Sequence, residues 1–397
     1  MGDLEKINNF CDKIIRKNKD YPDYPDSLKS LGGISDRTKD IMLKVIKNYQ
    51  KGKSKRNAGY VKSELISRFL NPSPFLSNPI KKIEGPISIY QLSSTRNPQI
   101  FYLFGDYHDK LNSCGKTPKF YTWIEDTIIN SPVFIDVYVE VPYQYKGRGY
   151  ISGSMMKGIK DCYIRDFTEH FLKCFHHDKK YSPCQTSRFH YTDLRMLLPV
   201  ESGFSTLILT YKSLFKNQSK KEISRRIKGV NIYFDFLTYP KSIVHKRITK
   251  QIGAIEDPRI KSSIRNMYRK CLADFLKGIE HINPRQSKSK ITKSLDSAFF
   301  YQICLMDFYL ISRCFRSYKK KEGYSGPSLN NIIYAGNTHI HNYIKILQIL
   351  GFDIVESADY LPYDGDRPYD NDAKPNKNAQ CLNISKIKQP LFHQRYM

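Results

Sequence analysis

The amino-acid sequence predicts an α/β protein: a central, mostly parallel sheet flanked by helices, with a basic helical extension at the amino terminus. Three observations predict this class. Short runs of β-branched and aromatic residues alternate with longer segments of helical spacing. Two of these runs, IFYLF and NNIIYA, end directly in a Gly-x-x-His sequence. A hydrophobic content of 40% and an aromatic content of 13% are sufficient for a packed core in 397 residues.

Residues 1–85 are the predicted extension. Proline-rich breaks interrupt it, and residues 36–56 have apolar positions at helical spacing before the cationic run KGKSKR. We interpret that run either as a solvated loop or as a contact with an anionic surface. The first twenty residues are charged throughout, which is not the pattern of a secretory signal peptide.

The α/β pattern extends over residues 86–362. Residues 87–92 and 99–105 are predicted to form two neighbouring strands, and residues 132–141 a third strand. Residues 120–131, between the second and third strands, have the spacing of a crossover helix. This arrangement predicts a βαβ unit whose two strands are parallel.

The second half of the chain is predicted to be mainly helical. Residues 189–199 form a short strand or loop, residues 205–285 form helices, and residues 292–321 form a long apolar helix that ends in Lys and Arg. A polar tail is predicted at residues 363–397. The α/β domain closes before it with a strand, a helix and a strand at 330–336, 338–351 and 352–358.

The charge balance favours an anionic partner. The chain has 65 Lys and Arg against 38 Asp and Glu, a formal net charge of +27. Such an excess attracts polyanions, above all nucleic acid, through counterion release. The same composition also results from an A·T-biased genome, because Lys, Tyr and Asn have A·T-rich codons. No apolar run approaches the roughly 20 residues that span a bilayer, so we predict an intracellular protein without a transmembrane segment.

The nine cysteines are irregularly spaced, and no Cys-x-x-Cys pair is present. This pattern indicates neither a zinc ribbon nor a disulfide framework. We therefore expect reduced thiols.

The paired Gly-x-x-His sequences predict one composite site. Gly105 and His108 follow the second predicted strand, and Gly336 and His339 follow a late strand. Because ligands bind at the carboxyl edge of such sheets, both imidazoles are expected there. Glu140, at the end of the third strand, either joins His108 to raise its basicity or hold a metal, or is an exposed or turn-capping residue.

Asp307 interrupts the long apolar helix and needs a partner when buried. Opposite the histidines it would be functional, whereas paired with Arg313 it would be structural.

These residues resemble the TraB/TIKI and erythromycin-esterase/ChaN-like superfamily over residues 86–360. The matching positions, in chain order, are Gly105, His108, Glu140, Arg195, Gly336 and His339. The lysine-rich composition also resembles proteins of large DNA viruses. That likeness implies a location in the host cytoplasm or the virion.

The resemblance implies a hydrolase, either a metal-dependent peptidase or an esterase with a histidine base, whereas ChaN-like members bind haem or iron. It implies a divalent metal, zinc or manganese, held by His108, Glu140 and His339. Those three residues and Arg195 are the implied catalytic set. The predicted substrate-binding residues, for a peptide or ester, are Gly105, Gly336, His190 and Asp307.

Arg195 has two interpretations. It either clamps an anionic substrate group or oxyanion, or it is a structural ion-pair partner of Asp193 or Glu140. A different class of function is also open. In that alternative the protein is a non-catalytic basic or virion-associated protein that holds nucleic acid or an acidic partner.

Overall fold

The structure, a computed structural model, describes residues 79–111, 113–131, 133–142, 162–176, 184, 187–194, 220–283, 285–318, 328–360 and 379–392. The predicted helix at 36–56 and the polar stretch at 363–378 lie outside the described residues.

In these described parts of the chain, eight strands form two sheets. They are β1 (Lys82–Glu84), β2 (Ser88–Ser93), β3 (Ile100–Asp106), β4 (Ile135–Pro142), β5 (Ser187–Asp193), β6 (Asn330–Gly336), β7 (Asp353–Asp359) and β8 (Cys381–Asn383). The main sheet has the order β5-β4-β6-β3-β2-β7, and β1 pairs with β8 separately. Strands β5, β4, β6 and β3 run parallel to one another, whereas β2 is antiparallel to both of its neighbours.

The predicted α/β class is confirmed, but the sheet is mixed rather than mostly parallel. The connection between β2 and β3, residues 94–99, is shorter than the dozen or more residues that a parallel crossover requires. The two strands are neighbours, as predicted, but they form an antiparallel pair. A second difference affects the site: β6 lies between β3 and β4.

Helices cover both faces of the sheet. Phe101 and Leu103 of β3 face one core cluster, and Tyr102 and Phe104 face the other, as expected for alternating side chains. The second cluster contains α1 (Phe120–Asn130), α2 (Tyr163–His170) and α3 (Leu172–Phe175). The first contains residues of α4 (Lys220–Thr238), α5 (Ile243–Gly253), α6 (Pro258–Gly278), α7 (Lys288–Cys314) and α8 (Asn337–Ile349).

Strands β3 and β6 are buried along their whole length, which explains their unbroken apolar sequences. Helix α7 is the long apolar helix of the sequence prediction. It begins after Ser287, whose hydroxyl accepts the N–H of Lys290 at 3.4 Å. Among the described residues, the helices lack the combination of length and apolar character that crossing a bilayer requires.

The α/β domain extends beyond both predicted boundaries. Those boundaries place β1 in the extension and β8 in the polar tail, yet the two strands pair in register from Lys82–Asn383 to Glu84–Cys381. Residues that follow β8 are buried in the core on the α1 face. They are Ile384, Ile387, Leu391 and Phe392.

The expectation of reduced thiols is wrong for six cysteines. Disulfides join Cys114 to Cys381, Cys174 to Cys184 and Cys271 to Cys304. Their sequence separations of 267, 10 and 33 residues follow no local motif, so the spacing did not indicate them. Among the described residues, Cys162 and Cys314 are free and buried.

Candidate functional site

The carboxyl ends of three adjacent parallel strands bring the site together. Asp106, at the end of β3, is in register with Gly336, at the end of β6. On the other side of β6, Val139 of β4 is in register with Tyr334. Because β6 is the middle strand, the segments that follow β3 and β6 and the end of β4 meet at one edge.

Glu140 faces both predicted histidines. Its Oε2 lies 3.5 Å from Nε2 of His108, and its Oε1 lies 3.5 Å from Nε2 of His339. Oε2 also accepts the backbone N–H of Gly336 at 2.7 Å. Only 3% of the Glu140 side chain is exposed. A single buried carboxylate therefore lies between two imidazoles from distant parts of the chain.

Asp106 orients His108. Its Oδ2 accepts the backbone N–H of His108 at 2.7 Å and contacts the ring Nδ1 at 3.0 Å. Its Oδ1 accepts the hydroxyl of Tyr334 at 2.9 Å. These bonds hold His108 at φ 62°, in the left-handed region that a side chain rarely adopts. The strained backbone aims Nε2 at Glu140.

Asp307 performs the same task for His339. Its Oδ1 lies 2.6 Å from the ring Nδ1 of His339, and its Oδ2 accepts the side-chain amide of Asn342 at 2.9 Å. Asp307 comes from α7, whereas His339 and Asn342 come from α8. Of the two alternatives for this aspartate, the structure has the one opposite a histidine. Arg313 instead donates to Tyr191, Tyr309 and His190.

Close packing explains both motif glycines. A Cβ at Gly336 would lie 2.5 Å from Nε2 of His108 and 3.3 Å from Oε2 of Glu140. A Cβ at Gly105 would overlap the side chains of Asn337 and Ser88, whose Oδ1 and Oγ are themselves hydrogen bonded at 2.5 Å. Neither glycine has a positive φ. Each is therefore required by the space beside it rather than by backbone conformation.

The charges around His108 favour its protonated form. Burial lowers the pKa of His108, but the Glu140 carboxylate and hydrogen bonds with Asp106 and Cys162 outweigh it and raise the pKa well above 6.5. Burial also raises the pKa of Asp307, and His339 offsets this only in part. At neutral pH, His108 is accordingly an imidazolium next to the Glu140 carboxylate. About half of its side chain, 49%, is exposed, against 9% for His339.

One predicted residue, His190, does not join this group. His190 lies in a buried network, where its Nε2 contacts Asp136 at 2.8 Å and its Nδ1 accepts from Arg313 at 2.7 Å. With both ring nitrogens occupied by these partners, His190 lies apart from Glu140 and the two site histidines, against its predicted place among the substrate-binding residues. The sequence could not show this, because both partners come from other elements. Arg195 lies outside the described residues.

One group of three side chains among the described residues could hold a metal ion. Ligand atoms of Asp106, His108 and Cys162 all lie within 4.8 Å of one another. His108 belongs both to this group and to the predicted set, but Glu140 and His339 are replaced by Asp106 and Cys162. Nitrogen, carboxylate oxygen and sulfur are ligands that zinc accepts. Both Asp106 oxygens already accept hydrogen bonds, so a metal bound by Asp106 would compete with these partners.

Cys162 is the site residue that the sequence pattern did not identify. It precedes α2 and is 3% exposed, beside His108. Its neighbourhood in the sequence is rich in His and Cys at spacings that fit no zinc motif, which masked its proximity to His108. Asp106, by contrast, lies inside the first Gly-x-x-His sequence.

No family model matches the chain, and neither does any curated protein or any solved structure.

Proposed function

We propose that the protein is a hydrolase that cleaves an ester or amide bond with water activated between His108, Glu140 and His339. One observation supports this most strongly: the Nε2 atoms of both imidazoles face different oxygens of one buried carboxylate, each at 3.5 Å. Both Nδ1 atoms are held by separate aspartates. A general base held by an orienting carboxylate is the arrangement that hydrolases use to deprotonate a nucleophile.

The two aspartates determine which ring nitrogen is available for chemistry. A carboxylate that accepts Nδ1–H leaves Nε2 directed into the site. Each Nε2 lies 3.5 Å from Glu140, at the long limit of a hydrogen bond. In this proposal, the water molecule that is deprotonated contacts Nε2 of His339 and the Glu140 carboxylate.

The two histidines have different roles in this proposal. His108, with its raised pKa, donates a proton to the leaving group or to the oxygen that gains negative charge. His339 is deeper and accepts the proton of the attacking water, while Asp307 stabilises the resulting imidazolium. The backbone N–H of Gly336 holds Glu140 in place between them.

We further propose that a bound metal assists the hydrolysis. Zinc bound through His108, with either Glu140 and His339 or Asp106 and Cys162, would act as a Lewis acid on the acyl oxygen. A donor set that includes the Cys162 sulfur favours zinc over manganese.

The hydrolase proposal is tested with a panel of chromogenic esters and quenched fluorescent peptides. We expect turnover by the wild type and loss of it in Glu140→Gln and His339→Ala. His281→Ala is the matched control, because His281 is a surface residue paired with Asp235 at 2.8 Å. Turnover that survives both substitutions in folded protein contradicts the proposal.

The metal proposal is tested by elemental analysis of purified variants. We expect His108→Ala and His339→Ala to lose bound metal while circular dichroism shows a folded protein. Loss in Cys162→Ser with retention in Glu140→Gln would assign the ion to the Asp106 group. Unchanged metal content in both histidine variants removes the metal from the proposal.

A second candidate function is retention of nucleic acid, favoured by exposed basic side chains of α5 and α6. Five basic side chains there are exposed and have no acidic partner within the described parts of the chain: Lys246, Lys250, Arg265, Arg269 and Lys270. The face of α6 that carries Ile260, Ile264, Tyr268 and Phe275 is buried. A phosphate backbone fits the exposed basic side chains.

Salt-dependent binding to a labelled oligonucleotide tests this candidate. The triple variant Arg265→Ala, Arg269→Ala, Lys270→Ala should bind more weakly and with a smaller salt slope, by about 0.9 for each phosphate that the protein no longer neutralises. Arg225→Ala is the control, since Arg225 is exposed but paired with Glu222 at 3.0 Å. Equal slopes for the triple variant and the wild type contradict this candidate.

A further inference from the structure

The loop that carries His108 has little hydrophobic support. This loop, residues 107–119, joins β3 to α1, and we refer to it as the His108 loop. None of its described residues belongs to either core cluster. Its position therefore depends on polar contacts and on covalent links to neighbouring segments.

The His108 loop is joined to the start of β8 in three places. The side chain of Gln380 makes two hydrogen bonds with it: Oε1 accepts the backbone N–H of Leu111 at 2.8 Å, and Nε2 donates to the backbone oxygen of Asp109. The disulfide between Cys114 and Cys381 connects the same two segments covalently. Hydrogen bonds of a partly exposed loop compete with water, so the covalent link is the strongest of the three.

The segment that follows β8 is firmly packed. Leu391 and Phe392 are buried in the core on the α1 face, and the backbone N–H of Phe392 donates to the Tyr102 hydroxyl at 3.3 Å. The disulfide thus joins a weakly packed loop to a well-packed segment. If that disulfide is opened, the loop gains freedom and the carboxyl-terminal segment stays in place.

This disulfide is more exposed than a buried one elsewhere in the fold. Cys114 and Cys381 are both partly exposed, whereas Cys174 and Cys184 are only 3% and 2% exposed. Thiol–disulfide exchange begins with the attack of a thiolate on a disulfide sulfur, and its rate depends on access. We therefore expect a dithiol to reduce the Cys114–Cys381 pair before the Cys174–Cys184 pair.

The position of His108 depends on the residues that follow it. Its φ of 62° lies in a region that persists only when the surrounding structure fixes the backbone on both sides. On one side is Asp106, at the end of β3. On the other side are Asp109 and Leu111, which Gln380 holds. Loosening this second side removes part of what keeps His108 opposite Glu140.

We propose that the Cys114–Cys381 disulfide is a redox switch for the His108 loop. A dithiol reductant transfers two electrons and two protons, so that both cysteines become thiols while the dithiol closes to a disulfide. The loop then loses its covalent link, and His108 leaves its strained position opposite Glu140. Oxidation restores the ordered site. The effect on the loop is independent of the hydrolase proposal, whereas the effect on turnover rests on it.

Hydrogen–deuterium exchange of the full chain, before and after reduction with dithiothreitol, tests the switch. In the oxidised protein the amides of Leu111 and Cys114 are hydrogen bonded and should exchange slowly. Reduction should accelerate exchange in peptides covering residues 107–119 by at least about tenfold. Mass spectrometry of alkylated cysteines identifies the pair that was reduced. Unchanged exchange in these peptides once Cys114 and Cys381 are alkylated overturns the proposal.

Cysteine variants localise the effect. The double variant Cys114→Ser, Cys381→Ser should show the fast exchange of the reduced loop with or without dithiothreitol. The double variant Cys271→Ser, Cys304→Ser is the matched control, because that disulfide joins α6 to α7 and its cysteines are also partly exposed. The control should keep the slow exchange of the oxidised loop and its response to reductant.

Equal acceleration in the control variant would mean a general loosening of the fold and would contradict the assignment. If the Cys114 and Cys381 variant does not fold, the dithiothreitol series on the wild type and on the control variant decides. Circular dichroism of each sample provides the folded fraction.

Turnover separates this proposal from the hydrolase proposal. Oxidised wild type should lose at least about tenfold of its turnover on reduction, since small misplacements of catalytic groups are costly. If the loop loosens but the oxidised protein cleaves no substrate in the panel, the hydrolase proposal fails and the loop switch stands. If the loop loosens and turnover is unchanged, the disulfide does not control the position of His108, and that part of the proposal is wrong.

Discussion

His108 and His190 both contact a buried aspartate, yet the pKa values of the two imidazoles are shifted in opposite directions. His108 lies 3.0 Å from Asp106, and its pKa is raised well above 6.5. His190 lies 2.8 Å from Asp136, and its pKa is lowered to about 3. Burial lowers the pKa in both cases. An aspartate partner therefore does not by itself decide the charge of a histidine.

Burial and the third neighbour together account for the difference, since 49% of the His108 side chain is exposed against 3% for His190. The other nitrogen of His108 faces the Glu140 carboxylate at 3.5 Å, which favours the protonated ring. The other nitrogen of His190 accepts from the Arg313 guanidinium at 2.7 Å, which opposes a second positive charge. The aspartate orients each ring, while burial and the third group together set its charge. Of these two histidines, only His108 has a raised pKa.

Replacing the two histidines by alanine should separate activity from stability, and this is the largest effect expected. His108→Ala should lower turnover by about 10²- to 10⁴-fold with a modest change in Tm. His190→Ala should instead cost about 2–4 kcal/mol of unfolding free energy, because Asp136 and Arg313 lose a buried partner. Turnover per folded molecule, with folded fraction taken from circular dichroism, checks this. Equal losses of activity per folded molecule in both variants would contradict the separate roles assigned to His108 and His190.

Acid should destabilise the protein through His190. The ring is neutral in the folded state down to about pH 3, whereas in the unfolded chain it binds a proton below about pH 6.5. Proton uptake therefore favours unfolding, and stability decreases as the pH falls from about 6.5 towards 3, by at most about 1.4 kcal/mol per pH unit.

The check is urea denaturation of the wild type and His190→Gln at a series of pH values. The variant should show a flatter pH dependence in this window. A wild-type stability that rises as the pH falls would have the wrong sign for a buried, neutral histidine.

A methyl group at Gly336 should disturb His108 without unfolding the chain. Its Cβ would lie 2.5 Å from Nε2 of His108, so the ring must move away from Glu140. We expect Gly336→Ala to reduce turnover by about tenfold or more, since small misplacements of catalytic groups are costly. Gly253→Ala is the control, because a Cβ there contacts nothing within 4 Å. Activity and Tm of the two variants, measured side by side, test the steric argument.

Local sequence patterns predicted the strands and the site residues that lie at strand ends. Gly105, His108 and Glu140 each follow or close an apolar run, so their position at a sheet edge was visible in the sequence. The placement of β6 between β3 and β4 was not visible, because strand order depends on packing between distant segments. That placement brings Gly336 beside His108 and lets its backbone N–H bond Glu140.

Features that depend on long-range partners were predicted poorly. The strand context of His190 favours a site role, but Arg313, 123 residues away, occupies its second nitrogen. Cys381 follows a polar stretch typical of a tail, yet it pairs with Cys114 across 267 residues. The apolar surroundings of Asp307 indicate that it needs a partner, and only the structure identifies that partner as His339.

The most direct test of a shared centre is the pKa of His108 in metal-free wild-type protein and in Glu140→Gln, measured by nitrogen-15 NMR of the imidazole. Glu140 is the strongest of the influences that raise this pKa. The value should therefore lie above 6.5 in the wild type and fall in the variant. A His108 pKa that is the same in both proteins would contradict the view that the carboxylate and the imidazole act as one unit.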